Sequence, residues 1–304
     1  MTSRRLLVAA PLAIAALALS ACGSAGDTAA NKAGDKGADK LAVVASFYPL
    51  QFAVQQNGGD HVSVTSLTRP GVEPHDVELT PRDVASVSKA RLVVYERGLQ
   101  GAVDQAADSQ GGERVLDVAP SANLDLATAS GTKDPHFWLD PQRYAGVATA
   151  ISQRLSSADP ANKADYQTKA RAFENKLAAL SAEFTTGLAN CQRKEIVTSH
   201  AAFGYLAERF GMMQIAINGL SPDQEPKAAD IAAVSTYAKS HGVTTIYAET
   251  LVSPATAATV AKESGAKMVT LDPIEGLTSQ SAGQDYFEVM RSNLKALQAG
   301  QGCT

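Results

Sequence analysis

Eight short apolar runs, four before residue 120 and four after residue 190, constrain the fold more than any other feature of the chain. The first set lies at 41–46, 62–67, 91–95 and 114–118. The second lies at 195–198, 212–217, 243–247 and 267–271. Each run is apolar or β-branched and has the length of a buried strand. Helical patterns at 48–56, 81–88, 201–209, 226–240 and 254–264 fall between them. Thr80 before Pro81 has the form of a helix start, a side-chain cap followed by a proline that needs no N–H partner. Strands alternating with helices imply parallel α/β sheets. Two sets of four predict two lobes, each a roughly four-stranded parallel sheet flanked by helices, although no sequence repeat is visible. Between the sets, Tyr166, Ala170, Phe173, Leu177, Leu180, Phe184 and Leu188 recur at steps of three and four over 162–188. With no Gly or Pro between Tyr166 and Phe184, this segment predicts one helix about 40 Å long, at 1.5 Å per residue. A connection that stiff predicts limited hinge motion between the lobes.

The N-terminus is of a different kind. Arg4 and Arg5 precede an apolar run, 6–19, that is shorter than the roughly 20 residues a bilayer span needs. A basic start, a short apolar stretch and small residues form the pattern of a secretory signal. The stretch ends Leu19-Ser20-Ala21-Cys22-Gly23, which resembles the bacterial lipobox. That resemblance implies cleavage before Cys22 and a lipid on its sulfur; an ordinary signal with a chance cysteine is the other reading. Residues 24–40 are small and polar without apolar periodicity, too poor in burial to offset ordering. The expected organisation is a signal at 1–21, a lipidated flexible tether at 22–40, an N-terminal lobe at 41–141, a linking segment with the long helix at 142–190 and a C-terminal lobe at 191–304. A net charge of -4 without basic clusters argues against nucleic-acid binding. With Cys22 assigned to the lipid, Cys191 and Cys303 remain. In an oxidising compartment an even remainder points to a disulfide, with two free thiols as the alternative.

Of the five histidines, three share a context. His75 lies in the loop after the run at 62–67, His136 in the long loop after the fourth strand, and His200 directly after the first strand of the second set. Ligands of α/β sheets bind beyond the carboxyl ends of the strands. His61 and His241 precede strands, at the opposite edge, and are read as surface or structural. Asp272 directly follows the run at 267–271 and completes a set of three imidazoles and one carboxylate. Such a four-ligand set suits Zn2+, whereas manganese prefers more oxygen. Asp76, Asp140 and Glu249 are candidates to orient the rings, and Trp138 is read as core beside His136.

The stretches Gly71-Val72-Glu73-Pro74-His75-Asp76, Asp134-Pro135-His136-Phe137-Trp138-Leu139-Asp140-Pro141 and Thr198-Ser199-His200-Ala201-Ala202-Phe203-Gly204-Tyr205 are similar to the motifs of one family. It is the metal-binding proteins of zinc and manganese ABC importers, the ZnuA-type group, and the resemblance covers the chain beyond the tether. It implies two α/β lobes joined by a long helix, one metal ion in the cleft, ligand roles for His75, His136, His200 and Asp272, and a membrane permease as partner. Manganese members carry a carboxylate where this chain has His200, so the resemblance favours zinc; a manganese or iron component is the alternative. Zinc members often carry a histidine-rich loop before the second motif, and 119–133 has no histidine. A zinc hydrolase is the reading from another class, but neither HExxH nor GxSxG occurs, and no enzyme is expected. The expected protein is a monomer held to the outer face of a bacterial cell membrane by a lipid at Cys22.

Overall fold

The computed structural model describes residues 40–110, 112–222 and 224–304. The expected signal, Cys22 and the expected tether lie outside the described residues, except Lys40 at the tether's end. The first lobe runs β1 (Leu41–Ala45), α1 (Tyr48–Gly58), β2 (Val62–Ser66), α2 (Pro81–Lys89), β3 (Leu92–Tyr95), α3 (Gly101–Gln110), β4 (Val115–Asp117) and α4 (Ala119–Ala122). A helical pair follows, α5 (Pro141–Ala158) and α6 (Lys163–Leu188). The second lobe runs β5 (Glu195–Thr198), α7 (Gly204–Phe210), β6 (Met213–Ala216), α8 (Ala228–Ser240), β7 (Thr245–Ala248), α9 (Ala255–Ser264), β8 (Lys267–Thr270) and α10 (Tyr286–Gln301).

All strand pairs are parallel, in the orders β2-β1-β3-β4 and β6-β5-β7-β8. The two ladders also match bond for bond where they end. Ser46 N–H donates to the Val94 carbonyl as Ser199 N–H donates to Tyr247, and Thr68 N–H to Ser46 as Asn218 N–H to Ser199. Val118 N–H donates to Tyr95 as Leu271 N–H donates to Ala248. Phe47 therefore occupies in the first lobe the place that His200 holds in the second, and Glu96 the place of Glu249.

The apolar stripe on α6 is buried at every predicted position. It packs against α5, whose Tyr144, Val147, Ala148, Ile151 and Leu155 are also buried. The helical pair belongs to neither sheet. One core runs through both lobes and includes Phe47, Phe52, Trp138, Tyr144 and Phe173 together with Phe203, Leu271, Tyr286 and Phe287. Phe52 and Tyr144 touch the Tyr286 ring at 5.8 and 4.9 Å between centroids. Smaller apolar clusters back the outer face of each sheet. A Cys191–Cys303 disulfide joins the entry of β5 to the end of α10. Among the described residues no helix is long and apolar enough to cross a membrane.

Candidate metal centre

Four loops leave the carboxyl ends of the strands and converge. His75 sits between β2 and α2. That loop is closed by a reciprocal cap in which Thr80 and Asp83 satisfy each other's first-turn groups, with Pro81 behind. His136 precedes α5, whose start is capped by the Asp140 carboxylate accepting Gln142 N–H. His200 follows β5, its carbonyl held by Thr198 Oγ1 at 2.7 Å and Gln214 Nε2 at 3.0 Å. The three rings and Glu275 bring one donor atom each to within 4.8 Å of one another.

Glu275 Oε1 lies 3.4 Å from His75 Nε2, 3.1 Å from His136 Nε2 and 3.3 Å from His200 Nε2. His136 and His200 Nε2 are 3.3 Å apart. Donors at zinc bond lengths of roughly 2.0–2.2 Å on a tetrahedron stand about 3.3–3.6 Å apart. The side chains of His136, His200 and Glu275 are sealed from solvent, and that of His75 keeps 8% exposure. Three imidazoles and one carboxylate in a dry site are a donor set for one zinc ion.

Two further carboxylates fix the rings. Asp134 Oδ1 accepts the His136 backbone N–H at 2.9 Å and meets Nδ1 at 2.7 Å. Glu249 Oε1 accepts the His200 backbone N–H at 3.0 Å and lies 2.7 Å from Nδ1. Each contact directs Nε2 toward the centre. Gly204 is required beside Asp134, because a Cβ there would stand 2.6 Å from Oδ2.

Burial works against a charged His200, yet Glu249 and Glu275 outweigh it and push its pKa up to about 10. Burial likewise opposes charge on His136, and Asp134 and Glu275 raise it despite that. Burial would raise Glu275, but His200, His136 and His75 hold its carboxyl well below the usual range.

The structure departs from the sequence reading at the fourth donor. Asp272 is not in the cluster: its Oδ1 accepts Ile274 N–H at 2.8 Å, and its Oδ2 accepts from Ser281 and Thr250. The carboxylate is spent on its own loop and on Thr250 after β7, and the turn at 273–274 delivers Glu275 instead. Among the candidates to orient the rings, Glu249 lies against His200. Asp76 is exposed, and Asp140 is engaged by Arg209 and by the start of α5. Asp134 was not anticipated, though its place two residues before His136 is the signal that could have found it. His61 pairs with Asp165 at 2.9 Å, and His241 stacks on Tyr237, both away from the cluster. Trp138 is core, 5.3 Å from the His136 ring centroid.

Two parallel α/β lobes, a long connecting helix and a sealed tri-histidine carboxylate cluster drawn from both lobes define a metal-binding protein of the substrate-capturing kind. A family model described as zinc-uptake complex component A, periplasmic, matches residues 43–300, and the chain belongs to that family. It is 36% identical over 299 residues to the high-affinity zinc uptake system protein ZnuA of Bacillus subtilis, covering 92% of this chain and 93% of that one. The zinc-bound crystal structure of the ZnuA-like domain of Streptococcus pneumoniae AdcA is similar at 37% identity and a TM-score of 0.74, over 86% of this chain and 99% of that domain. The chain spans only 55% of the full zinc-binding lipoprotein AdcA of that species. The laminin-binding protein Lmb of Streptococcus agalactiae, described as bifunctional with adhesin and metal-transporting activity, matches at 33% identity and a TM-score of 0.77, over 86% of this chain and 99% of that one.

Proposed function

We propose that this chain captures one Zn2+ through His75, His136, His200 and Glu275 and delivers it to the permease of an ABC importer. It is a transport protein and not an enzyme. It acts outside the cytoplasm as a lipoprotein, with the lipid on Cys22 and residues up to 40 as the tether. The observation that carries the metal reading is the set of donor separations, 3.1–3.4 Å around Glu275 Oε1. Manganese favours more oxygen donors than the single carboxylate present here.

The ion joins the lobes, since His75 and His136 come from one side and His200 and Glu275 from the other. Binding therefore stabilises the fold by mass action, about 2.7 kcal/mol at a hundredfold excess over Kd. Titrating the chelated full chain with zinc and with manganese by competition against a metal-binding dye tests the reading. One tightly bound zinc with weaker manganese is the expected result. Tight manganese with weak zinc would overturn the choice of ion, and no stoichiometric binding of either would overturn the site.

A further inference from the structure

The turn at 272–274 holds an unusual residue. Ile274 is fully buried with φ 59°, in the left-handed region that β-branched side chains avoid. Such a conformation persists only where the surroundings over-determine it. Asp272 Oδ1 accepts the Ile274 N–H at 2.8 Å, and Ser281 and Thr250 donate to Oδ2 at 2.9 and 3.2 Å. Asn293 on α10 grips the Asp272 backbone on both sides, its Oδ1 accepting the N–H at 2.9 Å and its Nδ2 donating to the carbonyl at 2.6 Å. From the short turn that precedes α5, Trp138 Nε1 donates to the Pro273 carbonyl at 2.7 Å. Glu275 is the next residue after this fastened turn.

We propose that Asp272 is a positioning residue for the fourth donor: its carboxylate locks the left-handed Ile274 turn, and that turn presents Glu275 to the three imidazoles. The role rests on the zinc reading above. It needs an oxygen that accepts the Ile274 N–H, and it needs neither a negative charge nor a bond to the ion. Asparagine at 272 keeps that acceptor, and its amide faces two hydroxyls that can rotate to accept from it. Alanine removes the acceptor, so Ile274 relaxes to negative φ and Glu275 swings off the cluster.

Zinc affinity of the full chain, Asp272→Asn, Asp272→Ala and Glu275→Gln, measured by dye competition with thermal unfolding of each chelated chain alongside, tests the proposal. Asp272→Asn is expected within about threefold of the parent, since the hydrogen bond survives. Asp272→Ala is expected to bind roughly 10- to 100-fold more weakly, the usual effect of removing a group that orients a ligand. Glu275→Gln is expected to be at least as weak as Asp272→Ala. An Asp272→Asn loss as large as that of Asp272→Ala would mean that the charge or direct ligation matters, and would overturn the proposal. Parental affinity in Asp272→Ala would overturn it as well. If Asp272→Ala shows no cooperative unfolding, Asn293→Ala replaces it, with weakened zinc expected and unchanged zinc overturning the proposal. A parent chain that binds no zinc would instead remove the metal reading itself.

Discussion

Lowering the pH from 8 to 6 probes the electrostatics of the cluster directly. In the metal-free site His200 is buried, which disfavours charge, but Glu249 and Glu275 push its pKa up to about 10. His136 is raised as well, by Asp134 and Glu275 against the same burial. Zinc takes Nε2 only from a neutral ring, so at neutral pH each charged ring must lose a proton as the ion enters. Glu275 adds nothing to this count, because the histidines hold it ionised. One displaced proton lowers the binding constant about tenfold per pH unit, and two lower it about a hundredfold. From pH 8 to 6 affinity should therefore fall about 100- to 10,000-fold. Imidazoles at their ordinary value near 6.5 would leave it nearly flat above pH 7. Dye competition at half-unit steps measures the slope, and calorimetry in buffers of different ionisation enthalpy counts the protons. The sign for the fold runs the other way. A raised His200 pKa stabilises the metal-free chain fully below about pH 6.5, and that contribution is lost as pH rises through about 10. The gap in Tm between zinc-loaded and chelated protein should widen from pH 6 to 9. Affinity constant within about threefold from pH 7 to 8, with no proton released, would refute the reasoning.

Glu249→Gln should weaken zinc roughly 10- to 100-fold in the same competition assay, because the carboxylate beside His200 Nδ1 loses its charge. Gly204→Ala should act through Asp134, since its Cβ at 2.6 Å must displace the carboxylate that holds His136. A loss of similar size without loss of cooperative unfolding is the expected outcome there. Reducing the Cys191–Cys303 bridge, which spans 112 residues of sequence, should cost about 2–4 kcal/mol in denaturant unfolding of the metal-free chain. Zinc affinity should change little, because both cysteines lie at the far end of β5 and α10 from the cluster.

The fold was legible because burial imposes period on sequence. Eight β-branched or apolar runs became eight strands, with ends shifting by a residue or two. The stripe on α6 marked a helix that must bury one face. Helices α5 and α10 were not anticipated, although Val147, Ile151 and Leu155 on one and Met290, Leu294 and Leu297 on the other carry the same period. The two sets of four runs predicted the two lobes, but their position-by-position correspondence lives in backbone hydrogen bonds at strand exits, where Phe47 in one matches His200 in the other. His75, His136 and His200 were readable because strand exits aim them. The fourth donor was not, because placing Glu275 depends on a left-handed isoleucine. Sequence assigns that conformation to glycine or asparagine, and only the surrounding hydrogen bonds impose it here.

The shared core has a consequence for how an ion can leave. Phe52 and Tyr144 from one side meet Tyr286 and Phe287 from α10 in a single aromatic block. Fully burying such a ring is worth roughly 1.5–3 kcal/mol. Parting the lobes like a clamshell would uncover several rings at once, at a cost comparable to the roughly 5–15 kcal/mol that holds a whole domain folded. The body of the molecule thus behaves as a fixed frame at physiological temperature. Traffic in and out of the cage is left to its thinnest wall, the loop that carries His75, the one donor whose side chain keeps 8% exposure while the turn before Glu275 is held from several sides.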